Sequence, residues 1–173
     1  MEPRTTWSGV KLWVGRVLVL AVVVALVITG VVQWRLEAQA ERRRAAAWVG
    51  QVSLEHLQWM GGQWPTSWVQ LADTEEFLVA RQRETNRAWL MVHQPKLPWV
   101  DLPNLVELEF AADTSGWAKQ ESTGTEPPIR VIRLLTGEET DVDRAGPNWR
   151  LWEWARKRAG KDAGSEEASP SGR

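Results

Sequence analysis

The sequence predicts an α+β protein: a single N-terminal transmembrane helix continues into a helical stalk, followed by a small domain with a short antiparallel sheet and a C-terminal helix. Three observations support this prediction: an apolar run, a proline-free helix-favouring segment after it, and short strand-like segments separated by turn-forming residues. The predicted parts are an N-terminal tail (1–11), a transmembrane helix (12–32), a stalk (33–62), a small α+β soluble domain (63–158) and a disordered tail (159–173).

Residues 12–32 form an almost unbroken apolar run. At a rise of ~1.5 Å per residue, an α-helix of this length spans roughly 30 Å, which matches the hydrocarbon thickness of a bilayer. Arg16 is the one charge in the run, and it lies near the N-terminal end, where its long side chain can reach the headgroups. Trp7, Trp13 and Trp34 lie near the two ends, where indole rings favour the membrane interface. We therefore expect residues 12–32 to contact membrane lipid.

A cleaved signal peptide is the alternative to an anchor, because Ala38-Gln39-Ala40 has the A-x-A form of a cleavage site. An uncleaved anchor is favoured because the apolar run exceeds the roughly 7–15 residues typical of signal peptides. Orientation follows from the positive charges, which are nearly balanced between the two ends of the run. We place the N-terminus inside and the soluble domain on the non-cytoplasmic side; the triplet Arg42-Arg43-Arg44 argues for the opposite orientation.

Charge is distributed unevenly along the chain and disfavours a nucleic-acid partner. Residues 1–44 contain 7 Lys/Arg and 3 Asp/Glu, whereas residues 45–173 contain 14 and 19. Binding to phosphate backbones requires a basic surface, and the distal part of the chain is acidic. The chain has no cysteine, so disulfides and thiolate chemistry are excluded.

The segment after the apolar run favours a helix up to Gly61-Gly62 and Pro65, which end it. A mostly apolar stripe recurs along it at three- and four-residue spacing: Ala45, Trp48, Val49, Val52, His56 and Trp59. This stripe can pack on the chain's own domain, on a second copy, or on a helix of another membrane protein. His56 is interpreted as a packing histidine.

The domain at 63–158 is predicted to contain one short helix and a small antiparallel sheet. Asp73 and Glu76 resemble a capping pair, which predicts a helix over 74–85. Three segments have the composition of strands: 88–93, 105–110 and 129–135. Pairing of the second with the third would place Glu107 and Glu109 beside Arg130 and Arg133. Pro95-Lys96-Leu97-Pro98 is interpreted as a stiff connection, with an SH3-like ligand as the alternative.

Tryptophan dominates the aromatic residues, with 13 Trp, 2 Phe and no Tyr. Trp117 lies in a polar loop, where it either folds back on the sheet or stands exposed as an anchor for a partner. Residues 147–158 are predicted to form an amphipathic helix with a basic last turn, which either docks on the sheet or contacts membrane or an acidic partner. The candidate contact residues are Trp117, Trp149, Trp152, Trp154, Arg156 and Arg158.

No catalytic, cofactor-binding or metal-binding residues are predicted. The two histidines, His56 and His93, are not spaced as a nucleophile–base–acid set requires. The acidic run Glu138, Glu139, Asp141 and Asp143 lacks the spacing of a calcium loop and is interpreted as a solvated loop.

These patterns predict a non-enzymatic, single-pass, membrane-anchored protein whose small domain acts as a protein-interaction, assembly or accessory module. The expected partner is another protein, with a membrane protein as one candidate. Two alternatives remain: a membrane-anchored enzyme whose site is not visible as a motif, and a membrane-surface or envelope sensor that uses the Trp-rich basic C-terminal helix.

Overall fold

The computed structural model describes the backbone of residues 7–85, 94–121, 126–141 and 144–167, and the side chains of 13–81, 94–121, 126–141 and 144–160. The fold is rich in helix and contains one short two-stranded antiparallel sheet. The chain divides into two compact units, Met1–Ala40 and Glu41–Arg173. Three α-helices are described: α1 (Trp7–Trp59), α2 (Trp68–Thr85) and α3 (Pro147–Glu167). Two 3-10 helices span Trp99–Asn104 and Thr114–Lys119.

The described part of the first unit is the N-terminal part of α1, which is apolar and uncovered. Its most apolar 18-residue window has a mean hydropathy of 2.6, and none of that window is buried. Every large apolar side chain from Trp13 to Leu36 is at least 46% exposed. By length and composition, α1 is a candidate membrane span.

The second unit begins at Glu41, so the segment predicted as a stalk contributes its residues 41–62 to the folded unit. This part of α1 is buried on most of its circumference, rather than along one stripe. Its fully buried apolar residues are Ala45, Ala46, Trp48, Val49, Val52 and Leu57. The physical reason is the small size of the domain: with so few elements, a central helix supplies apolar surface that the sheet alone cannot provide. Of the alternatives for the stripe, packing on the chain's own domain is the one observed.

Glycines end α1, as the sequence predicts. Gly61 and Gly62 have φ of 62° and 94°, a region that side chains with a Cβ rarely adopt. The Gly62 N–H donates to the Leu57 carbonyl at 2.7 Å, which satisfies one of the orphan carbonyls at the helix end.

The second helix begins earlier than predicted. It starts at Trp68 rather than at residue 74, and Asp73 is inside it rather than at its cap. The cap is provided by Ser67, whose Oγ accepts from the Gln70 N–H at 3.4 Å, while Gln70 Oε1 accepts from the Thr66 N–H at 2.8 Å. Ser67 and Gln70 have the S-x-x-Q spacing of a capping box, which is a sequence signal that the Asp73 interpretation overlooked.

The sheet pairs β1 (Val106–Leu108) with β2 (Ile132–Leu134), and its antiparallel direction is as predicted. Glu107 is the register partner of Arg133, and both are exposed, whereas their neighbours in each strand are buried. The strands lie within the predicted segments 105–110 and 129–135 but are shorter. The third predicted strand, 88–93, lies outside the described residues.

The third helix packs its N-terminal half into the core. Trp149 and Leu151 are fully buried, and Pro147 lies so close to Gly50 of α1 that a Cβ on that glycine would come within 2.5 Å of the proline Cβ. The helix continues to Glu167, so its end lies beyond residue 158, inside the segment predicted to be a disordered tail.

Candidate interaction surface

Three of the predicted contact residues belong to the core of the domain. Trp117, Trp149 and Trp152 are 3%, 1% and 7% exposed. Trp117 packs edge-to-face on Trp64 with ring centroids 5.1 Å apart, and Trp149 packs in the same way on Trp152 at 5.5 Å. Of the two alternatives for Trp117, folding back is therefore the one observed. A small domain buries its largest apolar rings first, because they contribute most of the available hydrophobic stabilisation.

Of the remaining predicted residues, Trp154 packs against the core, and Arg156 and Arg158 form a cationic outer layer on α3. The Arg156 guanidinium lies 4.8 Å from the centre of the Trp152 ring, and that of Arg158 lies 5.6 Å from the Trp154 ring. Trp152 is itself fixed, because its indole N–H donates to the Gln120 carbonyl at 3.1 Å. The described indole rings of α3 thus face the core or lie beneath guanidinium groups, an arrangement that gives this helix a charged rather than an apolar outer surface.

The acidic segment predicted as a solvated loop contains a buried structural group. Asp141 is buried, and its Oδ1 accepts from the Asn148 backbone N–H at 2.9 Å, near the N-terminus of α3. Its Oδ2 accepts from Asn148 Nδ2 at 2.6 Å and from the Thr140 hydroxyl at 2.9 Å. Glu138 pairs with Arg42 of α1 at 2.7 Å. The carboxylates of Asp141 and Glu138 are therefore engaged in holding the fold together.

Asn148 completes this network by covering the free edge of β2. Its Oδ1 accepts from the N–H groups of Val131 and Ile132, each at 3.0 Å. Its Nδ2 donates to the Ile132 carbonyl at 2.9 Å. One side-chain amide thus makes the hydrogen bonds that a third strand would otherwise make at this point, as a buried sheet edge requires.

Two ionisable groups lie between α1 and α2. His56 Nδ1 is 2.9 Å from Thr74 Oγ1, and that hydroxyl donates to the Gln70 carbonyl at 3.0 Å. The threonine proton is used there, so His56 is the donor to Thr74. Burial lowers the pKa of His56, which agrees with its interpretation as a packing residue. Burial raises the pKa of Glu75, and a hydrogen bond with the Trp48 side chain opposes this increase.

A groove of about 760 Å³ lies along β2 and the segment after it. Charged side chains of both signs line it, among them Arg130, Arg133, Glu107 and Glu139. Within the described part of the chain, no three His, Asp or Glu residues are grouped so as to hold a metal ion. The groove therefore has the mixed polarity of an ordinary protein surface, without a chemically distinctive centre.

The described folded unit also exposes an apolar cluster on α2 that the sequence analysis did not identify. Phe77 is 45% exposed, and its ring packs edge-to-face on Trp59 with centroids 3.9 Å apart. Val69 lies two helical turns before it on the same side of α2 and is 71% exposed. Apolar rings that remain at the surface of a domain with a small core are candidates for contact with another molecule.

Exposed residues at four-residue spacing continue this cluster along the helix. The residues Val69, Asp73, Phe77 and Arg81 are all exposed and form a ridge, called here the α2 ridge. The sequence interpretation missed it because a helix starting at residue 74 excludes the first two members. The available signal was the apolar pair Val69 and Phe77, eight residues apart, which shares one side of a helix that begins after Ser67.

Comparisons of this chain with protein-family models, with curated proteins and with solved structures found no match.

Proposed function

We propose that this protein is a non-enzymatic, single-pass membrane protein whose folded unit binds another protein chain through the α2 ridge. The observations that carry this proposal are the uncovered apolar surface of the N-terminal part of α1 and the exposed aromatic pair Phe77–Trp59. Uncovered apolar surface of this kind is stabilised by lipid in the first case and by a protein partner in the second.

The anchor is supported by the continuity of the apolar segment and by its charge. Arg16 is the only charged residue between Leu12 and Trp34, and Trp34 marks the distal end of the apolar part. An α-helix satisfies its own backbone hydrogen bonds, so this segment can cross a bilayer without unpaired polar groups. We propose that the folded unit lies on the non-cytoplasmic side, in keeping with the uncompensated positive charges near the N-terminus.

A lysine pair in the middle of the apolar segment tests the anchor. Leu20→Lys combined with Val23→Lys places two charges near the centre of the segment. Each charge raises the free energy of membrane insertion by roughly 2.5–3.5 kcal/mol. We expect the wild-type chain to stay in the membrane pellet after alkaline carbonate washing, and the double variant to move to the supernatant. Val100→Lys in the folded unit is the matched control, because Val100 is 75% exposed and its replacement leaves the anchor intact. Release of the wild-type chain by carbonate would remove the anchor from the proposal.

The side of the membrane is tested separately. A tag at the C-terminus is exposed to external protease in spheroplasts, and the tag and the mass of the chain are read on one gel. Loss of the tag from a chain of full initial mass supports the non-cytoplasmic placement. Survival of the tag would reverse the orientation, provided that an externally exposed control protein is digested and a cytosolic control protein stays intact. A shortened initial mass would indicate cleavage after Ala40.

A photoreactive phenylalanine analogue tests the binding surface because it replaces Phe77 with a similar ring. We expect irradiation of cells to produce a cross-linked product from position 77 and none from position 100, whose side chain is more exposed. The product should weaken when Asp73, one turn away, is replaced by alanine. Equal products from both positions would indicate chance encounters and remove the ridge as a binding surface. Substrate turnover by the purified full chain would contradict the non-enzymatic part of the proposal.

A further inference from the structure

The α2 ridge carries opposite charges at equal distances on either side of Phe77. Asp73 precedes it by four residues and Arg81 follows it by four, and all three side chains are exposed. At ~1.5 Å per residue, each charge lies about 6 Å along the helix axis from the central ring. A two-fold rotation about an axis through Phe77 therefore exchanges the positions of the negative and the positive charge.

We propose that the α2 ridge binds the α2 ridge of a second copy of this chain, with the two helices antiparallel and Phe77 at the two-fold axis. This inference rests on the proposed function, in which the ridge is the binding surface, and it names the partner. A two-fold contact uses the same surface on both subunits, so that surface must be complementary to itself. The ridge meets this condition, since the rotation places each Asp73 opposite the partner copy's Arg81.

Helix packing supplies a suitable geometry for this contact. Residues at i, i+4 and i+8 form the ridges that interdigitate when two helices cross at about 50°, which is the commonest arrangement in globular proteins. Charges about 6 Å from the crossing point remain within reach of an arginine side chain at that angle. Arg81 already makes an interaction within its own chain. A guanidinium has five N–H donors, so a contact with the carboxylate of a second copy adds to that interaction.

The apolar part of the ridge has the composition of an interface centre. Phe77 would meet its symmetry-related copy, and Trp59 supports its ring from behind at a centroid separation of 3.9 Å. Aromatic residues at the centre with charged residues at the edges are the usual arrangement of protein interfaces.

Charge exchange tests the pairing in the full chain reconstituted in neutral-lipid nanodiscs or mild detergent. Asp73→Arg alone and Arg81→Asp alone each replace two attractive pairs with two repulsive ones, and we expect dimer dissociation to become roughly tenfold to a hundredfold easier. The double variant Asp73→Arg/Arg81→Asp should recover the wild-type mass. A mixture of the two single variants should form mixed dimers in preference to like dimers, because the repulsive pairs become attractive ones.

The matched control is Glu153→Arg, which makes the same change in charge on the exposed face of α3 and should leave the mass unchanged. Recovery in the double variant excludes misfolding as the cause of the single-variant effect. A wild-type chain that is monomeric at every concentration, or a dimer that all single variants retain, would overturn the pairing. Failure of the double variant to recover would overturn it as well.

The photoreactive residue at position 77 separates this inference from the proposed function when two differently tagged copies are expressed together. A cross-linked product that contains both tags, at twice the mass of the chain, supports the pairing. A product with one tag and a different mass overturns the pairing and leaves the binding function in place. No product from position 77 overturns both.

Discussion

Asn148→Leu removes the side-chain amide that covers the edge of β2 while keeping the number and branching of the side-chain heavy atoms. In the native fold this amide accepts from two backbone N–H groups and donates to the Ile132 carbonyl, at distances of 2.9–3.0 Å. It also donates to the Asp141 carboxylate. Leucine makes none of these bonds, and burial of the site keeps water from replacing them.

The magnitude follows from the groups left without a partner. Each buried backbone group that loses its hydrogen bond costs about 1–2 kcal/mol. The substitution orphans two N–H groups and leaves the Ile132 carbonyl with only the longer bond from the Thr140 hydroxyl at 3.3 Å. Asp141 retains its bonds from the Asn148 backbone and from Thr140, so its contribution is smaller. The additional apolar surface of leucine offsets part of the loss. We expect a net decrease of about 2–4 kcal/mol in the free energy of unfolding, a large fraction of the ~5–15 kcal/mol typical of domains.

Urea unfolding of the full chain in mild detergent, followed by tryptophan fluorescence, measures this decrease. Trp149 reports directly, because it follows Asn148 in the sequence and is buried. Asn104→Leu is the matched control at an exposed asparagine, and its effect should stay within about 0.5 kcal/mol. A loss below about 1 kcal/mol for the Asn148 variant would refute the reasoning, since it would mean that the edge of β2 does not depend on this amide.

Three further measurements check the packing. Burial lowers the pKa of His56, so the unfolded chain binds protons more readily than the folded one. The contribution of His56 to the stability should therefore be constant above about pH 6.5 and decrease as the pH falls below it. In a pH series of urea midpoints, His56→Leu should flatten that decrease. Gly50→Ala places a Cβ against the proline at the start of α3 and should lower the free energy of unfolding by about 1–3 kcal/mol. Gly116→Ala, with open space around it, should lower it little. Equal thermal midpoints of the two variants would contradict this. Trp64→Phe loses an indole N–H that donates to a backbone carbonyl at 2.8 Å, whereas the buried Trp149 N–H has no partner in the described structure. In urea unfolding, Trp149→Phe should therefore cost about 1 kcal/mol less than Trp64→Phe.

The predicted contact residues show which features of a surface can be inferred from local sequence patterns. The basic residues predicted for the last turn of the C-terminal helix are exposed, but they lie inside α3, which continues to Glu167, and the indole rings beside them pack on the core. Whether an aromatic side chain is buried depends on which other elements cover it, and spacing along one helix does not reveal this. The α2 ridge was missed for a smaller reason: the cap was assigned to Asp73 instead of Ser67, which shortened the helix and hid the four-residue repetition.

The sequence alone determined the features that depend on neighbours along the chain: the apolar N-terminal helix, its end at Gly61-Gly62, the two paired strands and the start of α3 at Pro147. These follow from hydrophobic periodicity and from the backbone preferences of glycine and proline, which act within a few residues. The tertiary structure decided that the distal half of α1 is the core of the domain and that Asp141 and Asn148 hold the edge of β2. Both depend on residues far apart in the sequence, because a small domain completes its core and its hydrogen bonds with whichever side chains folding brings together.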